Sequence, residues 1–269
     1  MQFKFFVISF LYKLFVFFNF KKNCHFRILM LHDIKRKNFK KLESNLKFLE
    51  KNYNFINPNQ LNKNQFPKNK KNLLLTFDDG FKSNFIFANT VLKKLKIKAV
   101  FFVVADLINS NNYIKDRIIK NIYPERTTLK ISQYNLMSWH DLRILEKTGH
   151  VIGSHTKSHL RLNKIKSLNI LKEEIISPIY IFKKNRIKRP NFFAYSFGDF
   201  YSFNKKCFDI AKSKYEFIFS GIRGDNIKFN KILFRDNIED CYNLEMINFF
   251  IKGYSDFLYE KFRKIFLSF

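Results

Sequence analysis

The chain has 269 residues, 46% of them hydrophobic and 18% aromatic, which excludes a disordered polymer and favours one large domain with a substantial core. Lysine and arginine number 50 against 22 aspartates and glutamates, a formal net charge of +28. The charge is spread along the chain and accompanies many Asn, Ile and Phe residues. We therefore interpret it as the compositional bias of an AT-rich coding sequence and expect no nucleic-acid partner.

The N-terminal stretch from Phe5 to Phe20 is apolar except at Ser9, Lys13 and Asn19. As a helix it would measure only ~24 Å, which is shorter than a ~30 Å hydrocarbon core. It also lacks the small-residue cleavage site of a signal peptide. We predict an aromatic, basic helix that makes peripheral membrane contact through residues 5–20, and an ordinary buried first helix fits equally well.

Beyond this segment, assigned to residues 1–24, no repeat or linker interrupts the chain, which predicts one domain over residues 25–269. Short apolar runs predict strands at Phe26–Leu31, Asn72–Phe77, Ala99–Val104, His150–Ser154, Asn191–Ser196 and Glu216–Ser220. Helical spacing predicts helices at 37–50, 83–95, 139–147, 163–184, 204–213 and within 244–267. Residues 105–137 are the hardest to interpret. Alternating strands and helices indicate an α/β fold with parallel strands, either a barrel or a doubly wound sheet.

Polar clusters begin where four of the predicted strands end. His32 follows the first strand, Asp78 and Asp79 the second, and His155 the fourth, while the fifth runs into Tyr195–Gly198. Carboxyl ends of parallel strands converge on one face, where such folds place their active sites. The sequence therefore predicts that these clusters meet in space.

Two histidines spaced i, i+4, His155 and His159, would point the same way on a helical turn and could share a metal with the carboxylate of Asp79. Such a set leaves positions open for water and substrate, as in catalytic metal sites, and Asp78 stays free to accept a proton. Cys24, Cys207 and Cys241 form no CxxC pair, which argues against a disulfide framework or a thiolate zinc site. Each motif alone is more often structural, and we expect His140 and His150 to be so.

In combination, the motifs resemble those of the polysaccharide deacetylases, carbohydrate esterase family 4. Thr76–Gly80 and Ser154–His159 are similar to the family's first two motifs, and Phe193–Gly198 is similar to the third. The resemblance implies a distorted (β/α) barrel of about seven strands. It also implies that Asp78 is the general base, that Asp79, His155 and His159 bind a divalent metal, usually zinc, and that Tyr195 and Phe197 belong to the substrate and oxyanion region.

Two features depart from the common family pattern. Ala194 occupies the place of an Arg that orients the base, and we expect Arg235 to replace it, with Arg189 as the weaker candidate. No histidine follows His159, so the usual late catalytic acid is missing. A circularly permuted branch of the family carries that histidine on its first strand, which implies His32 as the acid.

The resemblance thus implies a metal-dependent hydrolase that removes an acetyl group from an N-acetylated sugar of a polysaccharide or lipid-linked glycan. Alternatives are a deformylase or amidase of the same superfamily and a catalytically silent glycan-binding domain, although all three ligand positions and the base are present. We expect a cytoplasmic protein or one at the inner face of the cytoplasmic membrane, with an exported, membrane-anchored protein as the alternative.

Overall fold

A computed structural model describes residues 2–18, 24–63, 66–67, 70–108, 110–123, 135–226 and 230–269. Within those residues, nine strands form one sheet whose pairings are all parallel. The strands are β1 Phe26–Leu31, β2 Tyr53–Phe55, β3 Lys71–Phe77, β4 Ala99–Val103, β5 Val151–Ser154, β6 Phe192–Ala194, β7 Phe217–Phe219, β8 Ile232–Leu233 and β9 Asp236–Asn237.

Most helices lie between strands along the chain, while the first helix precedes β1 and the last two helices follow β9. They are α1 Gln2–Phe17, α2 Phe39–Glu50, α3 Lys82–Phe87, α4 Lys93–Leu95, α5 Asn112–Ile122, α6 Trp139–Lys147, α7 Leu168–Lys184, α8 Lys205–Lys212, α9 Leu244–Ile251 and α10 Glu260–Leu267. A π-helical segment, Ala88–Leu92, joins α3 to α4, so the helix predicted at 83–95 is continuous but not regular.

The sheet curls until its two edges meet. Its strand order is β8-β7-β6-β5-β4-β3-β1-β9, with β2 paired to β3. The edge strands β8 and β9 are joined only by Phe234 and Arg235, so the chain crosses from one edge to the other in at most about 11 Å. The prediction of a distorted (β/α) barrel is therefore confirmed, with nine strands in place of about seven.

Strand residues alternate between two apolar environments, as the pleat requires. Even-numbered residues of the central strands fill the barrel interior, among them Ile28, Leu74, Val100 and Phe102. Odd-numbered residues, including Leu29, Leu75 and Phe101, pack with the helices. Because both faces of β1 and β4 are buried, these strands consist of nearly unbroken apolar runs in the sequence.

Helix α1 packs onto the domain through one face only. Ile8 is buried, and the ring of Phe15 stacks on Tyr254 with 4.8 Å between centroids. On the other face, Phe6, Phe10 and Phe17 are 70%, 56% and 81% exposed. Among the described residues, no helix has both the length and the apolar character needed to cross a membrane. Residues 19–23 lie outside the described part of the chain, and the domain limits at 24 and 25 stay a prediction.

Candidate active site

A cavity of about 450 Å³ opens at the carboxyl ends of the barrel strands. Its walls include six of the residues that the sequence selected: His32, Asp78, Asp79, His155, His159 and Phe197. They follow β1, β3, β5 and β6, as expected for side chains placed just beyond the ends of parallel strands. The structure thus brings together clusters separated by more than 150 positions along the chain.

Asp79, His155 and His159 form a compact group of possible metal ligands, with all ligand atoms within 4.8 Å of one another. Oδ1 of Asp79 lies 3.5 Å from Nε2 of His155 and 3.6 Å from Nε2 of His159. Nδ1–H of His155 donates to the carbonyl of Ala194 at 2.8 Å, which leaves Nε2 as the free, lone-pair nitrogen.

Three polar atoms of this group are buried without a hydrogen-bond partner. Both carboxylate oxygens of Asp79 and Nδ1 of His159 make no hydrogen bond, although both residues are at most 4% exposed. Burial, and then the charge of Asp78, raise the pKa of Asp79 well above its usual range. Burial also lowers the pKa of His155 to about 4 and that of His159 well below its usual value, so both imidazoles are neutral. Two neutral imidazoles and a carboxylate match the donor set of a catalytic zinc site.

Strained backbone places the ligands. Asp79 has φ +75° and is followed by Gly80 at φ +103°, while Thr156 and His159 have φ +64° and +58°. The His155–His159 segment is therefore not the helical turn that the i, i+4 spacing suggested; it is an irregular loop. The amide of His159 donates to Oγ1 of Thr156 at 3.0 Å. Non-glycine residues at positive φ concentrate at functional sites, where surrounding contacts hold them.

Asp78 is fixed by Arg235. Nη1 and Nη2 of Arg235 donate to Oδ1 and Oδ2 of Asp78 at 2.7 Å and 2.9 Å, and Nη1 also donates to Oγ1 of Thr76. Burial acts to raise the pKa of Asp78, but the charge of the Arg235 guanidinium more than offsets it and the pKa is lowered. Asp78 is therefore an oriented, ionised carboxylate, 4.0 Å from Nε2 of His155.

Only one of the two candidate arginines reaches this carboxylate. Arg235 enters from the short link between β8 and β9, is fully buried, and also donates to the carbonyl of Ser220. Arg189 is exposed and donates to the carbonyl of Lys214, so it is not the partner of Asp78. His32 is half-buried on the cavity wall, and burial lowers its pKa although Asp78 acts in the opposite direction.

The third-motif segment contributes Phe197 to the cavity, but not Tyr195. Phe197 has φ +65°, its ring lies 4.8 Å from that of His159, and Arg161 stacks over it. The side chain of Tyr195 is fully buried, and its hydroxyl donates to the carbonyl of Gly198 at 2.9 Å. The side chain of Tyr195 therefore does not line the cavity but supports the Phe197 turn, and the assignment of Tyr195 to the oxyanion region stays a prediction.

The cavity wall also contains residues that the sequence did not reveal, namely Met30, Asp33, Ile122, Tyr123, Glu239 and Asp240. Asp33 directly follows His32, so its position just beyond the end of β1 could have indicated it. Glu239 and Asp240 follow β9, a strand of two residues that gives no detectable periodicity. Ile122 and Tyr123 lie at the end of α5, in the segment that was hardest to interpret.

Comparison with known proteins identifies the family. The family model described as polysaccharide deacetylase matches residues 65–215, more than half of the chain. The chain belongs to the polysaccharide deacetylase family. The prediction made from the motifs is thereby confirmed at the level of the family, while the circularly permuted branch stays a prediction.

One curated relative is YxkH of Bacillus subtilis (strain 168), whose name assigns it provisionally to the polysaccharide deacetylases. It is 30% identical over 146 residues, which cover 51% of this chain and 44% of the relative. The match thus spans less than half of the length of that relative.

Three solved structures share the fold, and two of them are named as deacetylases. The de-N-acetylase from Aggregatibacter actinomycetemcomitans aligns over 84% of this chain and 99% of its own, with TM-score 0.66 and 19% identity. Streptococcus pyogenes deacetylase PplD, solved with acetate, aligns over 86% and 99%, with TM-score 0.64 and 19% identity. IcaB from Ammonifex degensii aligns over 81% and 93%, with TM-score 0.62 and 18% identity.

Proposed function

We propose that this polysaccharide deacetylase family member is a metal-dependent hydrolase that removes the acetyl group from an N-acetylated sugar of a polysaccharide or lipid-linked glycan. The observation that carries the proposal is the placement of the Arg235-bound carboxylate of Asp78 beside the group formed by Asp79, His155 and His159. The family and the deacetylase folds that the chain resembles support it.

Zinc is the proposed metal, held by Asp79, His155 and His159. When bound, it would polarise the acyl carbonyl and lower the pKa of a coordinated water. The partnerless oxygens of Asp79 support this assignment, because a buried carboxylate without a partner is costly unless a cation compensates it.

The remaining chemistry is assigned to side chains of the chain itself. Asp78, ionised and oriented by Arg235, takes the proton of the attacking water. His32, at the end of β1 on the cavity wall, delivers a proton to the leaving amine when its imidazole is protonated. The backbone N–H groups of the Phe197 turn are proposed to stabilise the oxyanion that develops on the acyl oxygen.

Replacing Asp78 with Asn tests this assignment. Asn has the shape of Asp and leaves the Asp79–His155–His159 group in place, and circular dichroism checks that the variant folds although Arg235 loses its charged partner. In the folded variant, we expect zinc uptake to persist while acetate release from acetylated amino-sugar oligomers falls at least a hundredfold. The matched control is Asp79→Asn, which should lose zinc uptake as well. Native turnover in D78N would refute the role of the base, and a panel of formyl and acetyl substrates would separate deacetylation from the other acyl chemistries.

We also propose that the exposed face of helix α1 contacts an anionic bilayer, at the inner side of the cytoplasmic membrane. Phe6, Phe10 and Phe17 form one exposed stripe at helical spacing, and the side chain of Lys13 is 69% exposed beside it. The net charge of +28 complements anionic lipid, and aromatic, basic helices of this kind bind at the interface without crossing it.

Vesicle sedimentation of the full chain tests the membrane proposal. We expect binding to phosphatidylglycerol vesicles, weaker binding to phosphatidylcholine, and a severalfold loss in the double variant Phe10→Ser, Phe17→Ser. Tyr180→Ser, a change at another exposed aromatic residue, on α7, serves as the control. Equal sedimentation of the double variant and the native chain, or self-association through this face without lipid binding, would contradict the proposal.

A further inference from the structure

Helix α7 holds the loop that carries the two candidate histidine ligands. The carboxylate of Glu174, which is 4% exposed, accepts hydrogen bonds from the amide of Ser158 at 3.0 Å and from its hydroxyl at 2.6 Å. The main-chain carbonyl of the same glutamate accepts from the amide of Lys157 at 3.0 Å. One residue therefore makes three hydrogen bonds to the segment between His155 and His159.

The main-chain bond depends on a proline four residues further along α7. In a regular helix, the carbonyl of Glu174 would accept from the amide of residue 178. Residue 178 is Pro, which has no N–H, so the carbonyl is left without its helical donor. Lys157 supplies the missing donor from outside the helix. A proline inside α7, which otherwise weakens a helix, here creates an acceptor directed at the ligand loop.

The loop is also held from the opposite side. The amides of Ala105 and Asp106 donate to the carbonyls of Thr156 and Lys157 at 3.3 Å and 2.9 Å. The loop thus lies between the turn at 105–107 and α7. Because Thr156 and His159 have positive φ, external contacts of this kind are what keep the strained backbone in place.

We propose that Glu174 and Pro178 are positioning residues for the metal site. They fix the 155–159 loop so that both imidazoles face Asp79, without touching the metal or the substrate. The inference rests on the proposed function, because it concerns the site at which that function is placed. Groups that orient ligands in this way commonly contribute ten- to a hundredfold to metal affinity.

The test compares metal affinity with metal-free stability in matched variants of the full chain. Glu174→Ala is expected to weaken zinc binding about tenfold to a hundredfold in a chelator competition and to alter the visible spectrum of the cobalt-loaded protein. Glu174→Gln, which keeps an acceptor for Ser158, should restore part of the affinity. The control is Glu173→Ala, because Glu173 precedes Glu174 on α7, its side chain is 54% exposed, and its carboxylate accepts from Nζ of Lys157.

Pro178→Ala separates positioning from general destabilisation. The new N–H of residue 178 competes with Lys157 for the carbonyl of Glu174, so zinc affinity should fall while urea unfolding of the metal-free chain shows no loss of stability. If Glu174→Ala does not fold, Pro178→Ala and Ser158→Ala decide the question. Native zinc affinity in these folded variants would overturn the inference alone, whereas a native chain that takes up neither zinc nor cobalt would overturn the proposed function and the inference together.

Discussion

Arg235 and Asp78 lie 157 positions apart and form a two-point ion pair inside the barrel, with N–O distances of 2.7 Å and 2.9 Å. Both side chains are at most 2% exposed. Buried pairs of this geometry are costly to break, because removal of one partner leaves the other charge uncompensated. In this protein, the pair also determines how the candidate base is oriented.

Replacing Arg235 with Lys should keep the positive charge beside Asp78 but no longer orient the Asp78 carboxylate. An ammonium group cannot offer two parallel N–H donors to a carboxylate, so we expect kcat to fall about a hundredfold or more. Zinc content should be unchanged, as measured by metal analysis. Arg189→Lys, at an exposed position away from the cavity, is the control and should retain full activity. Native kcat in R235K would show that the ion pair does not position the base.

Asp79→Asn should abolish zinc binding and increase the stability of the metal-free chain. The carboxylate is buried without partners and burial raises its pKa, so holding it ionised is unfavourable. We expect the amide to raise the free energy of unfolding in chelator by about 1–2 kcal/mol. The native chain should gain about 2.7 kcal/mol from zinc at a hundred times its Kd, and the variant should gain nothing. A variant that zinc still stabilises would remove Asp79 from the ligand set.

His150 should make stability depend on pH below neutrality. Its Nδ1 accepts from the amide of Ala99 at 3.2 Å, which requires a neutral ring, and burial, with Lys98, lowers the folded-state pKa to about 4. Between that value and the unfolded pKa of about 6.5, the unfolded chain binds the extra proton, so stability falls as pH falls. His150 alone should cost about 2 kcal/mol between pH 7 and pH 5.

Urea unfolding of native and His150→Gln chains at both pH values measures this contribution. Because the other buried histidines remain in both chains, the difference between the two pH dependences isolates His150. The variant should lose less stability on acidification. Parallel pH profiles would mean that the pKa of His150 is the same in the folded and unfolded chains.

Gly198→Ala should displace the Phe197 turn. Gly198 has φ +69°, and an added Cβ would lie 2.9 Å from the backbone of Gly221, where no flexible side chain can yield. We expect kcat/KM on glycan substrates to fall about tenfold to a hundredfold while zinc affinity is retained. Gly149→Ala shares the positive φ, at +88°, but its Cβ would meet only the Lys98 side chain, so it controls for backbone strain. Equal losses in the two variants would assign the effect to strain alone.

The sequence was informative where strands are long and buried on both faces. β1 spans Phe26–Leu31 as predicted, and β3 and β4 differ from the predicted limits by one residue each. Three short strands were not predicted, and one loop was wrongly interpreted as a helical turn. β2, β8 and β9 have only two or three residues each, and the 155–159 loop owes its shape to contacts with α7 and the 105–107 turn rather than to local spacing.

The candidate site was largely predictable because parallel strands bring their carboxyl ends together. This rule alone was enough to select Asp78, Asp79, His155 and His159. The selection of Arg235 also required the family resemblance. Glu174 could not be found from sequence, because its role depends on a missing helical donor at Pro178 and on which loop lies against α7. The buried side chain of Tyr195 likewise depends on its packing against Phe203, which no local pattern encodes.

The two-residue crossing from β8 to β9 has a consequence for how the molecule assembles. It places Arg235 against Asp78 and Asp236 against Arg27, contacts that close loops of 157 and 209 positions. Such distant pairings form slowly, because the chain entropy of a long loop is lost before the contacts compensate it. A nascent chain that has emerged only as far as β7 carries every candidate metal ligand, yet it lacks the arginine that orients the base. Hydrolytic competence should therefore be acquired only after the link between β8 and β9 has been synthesised.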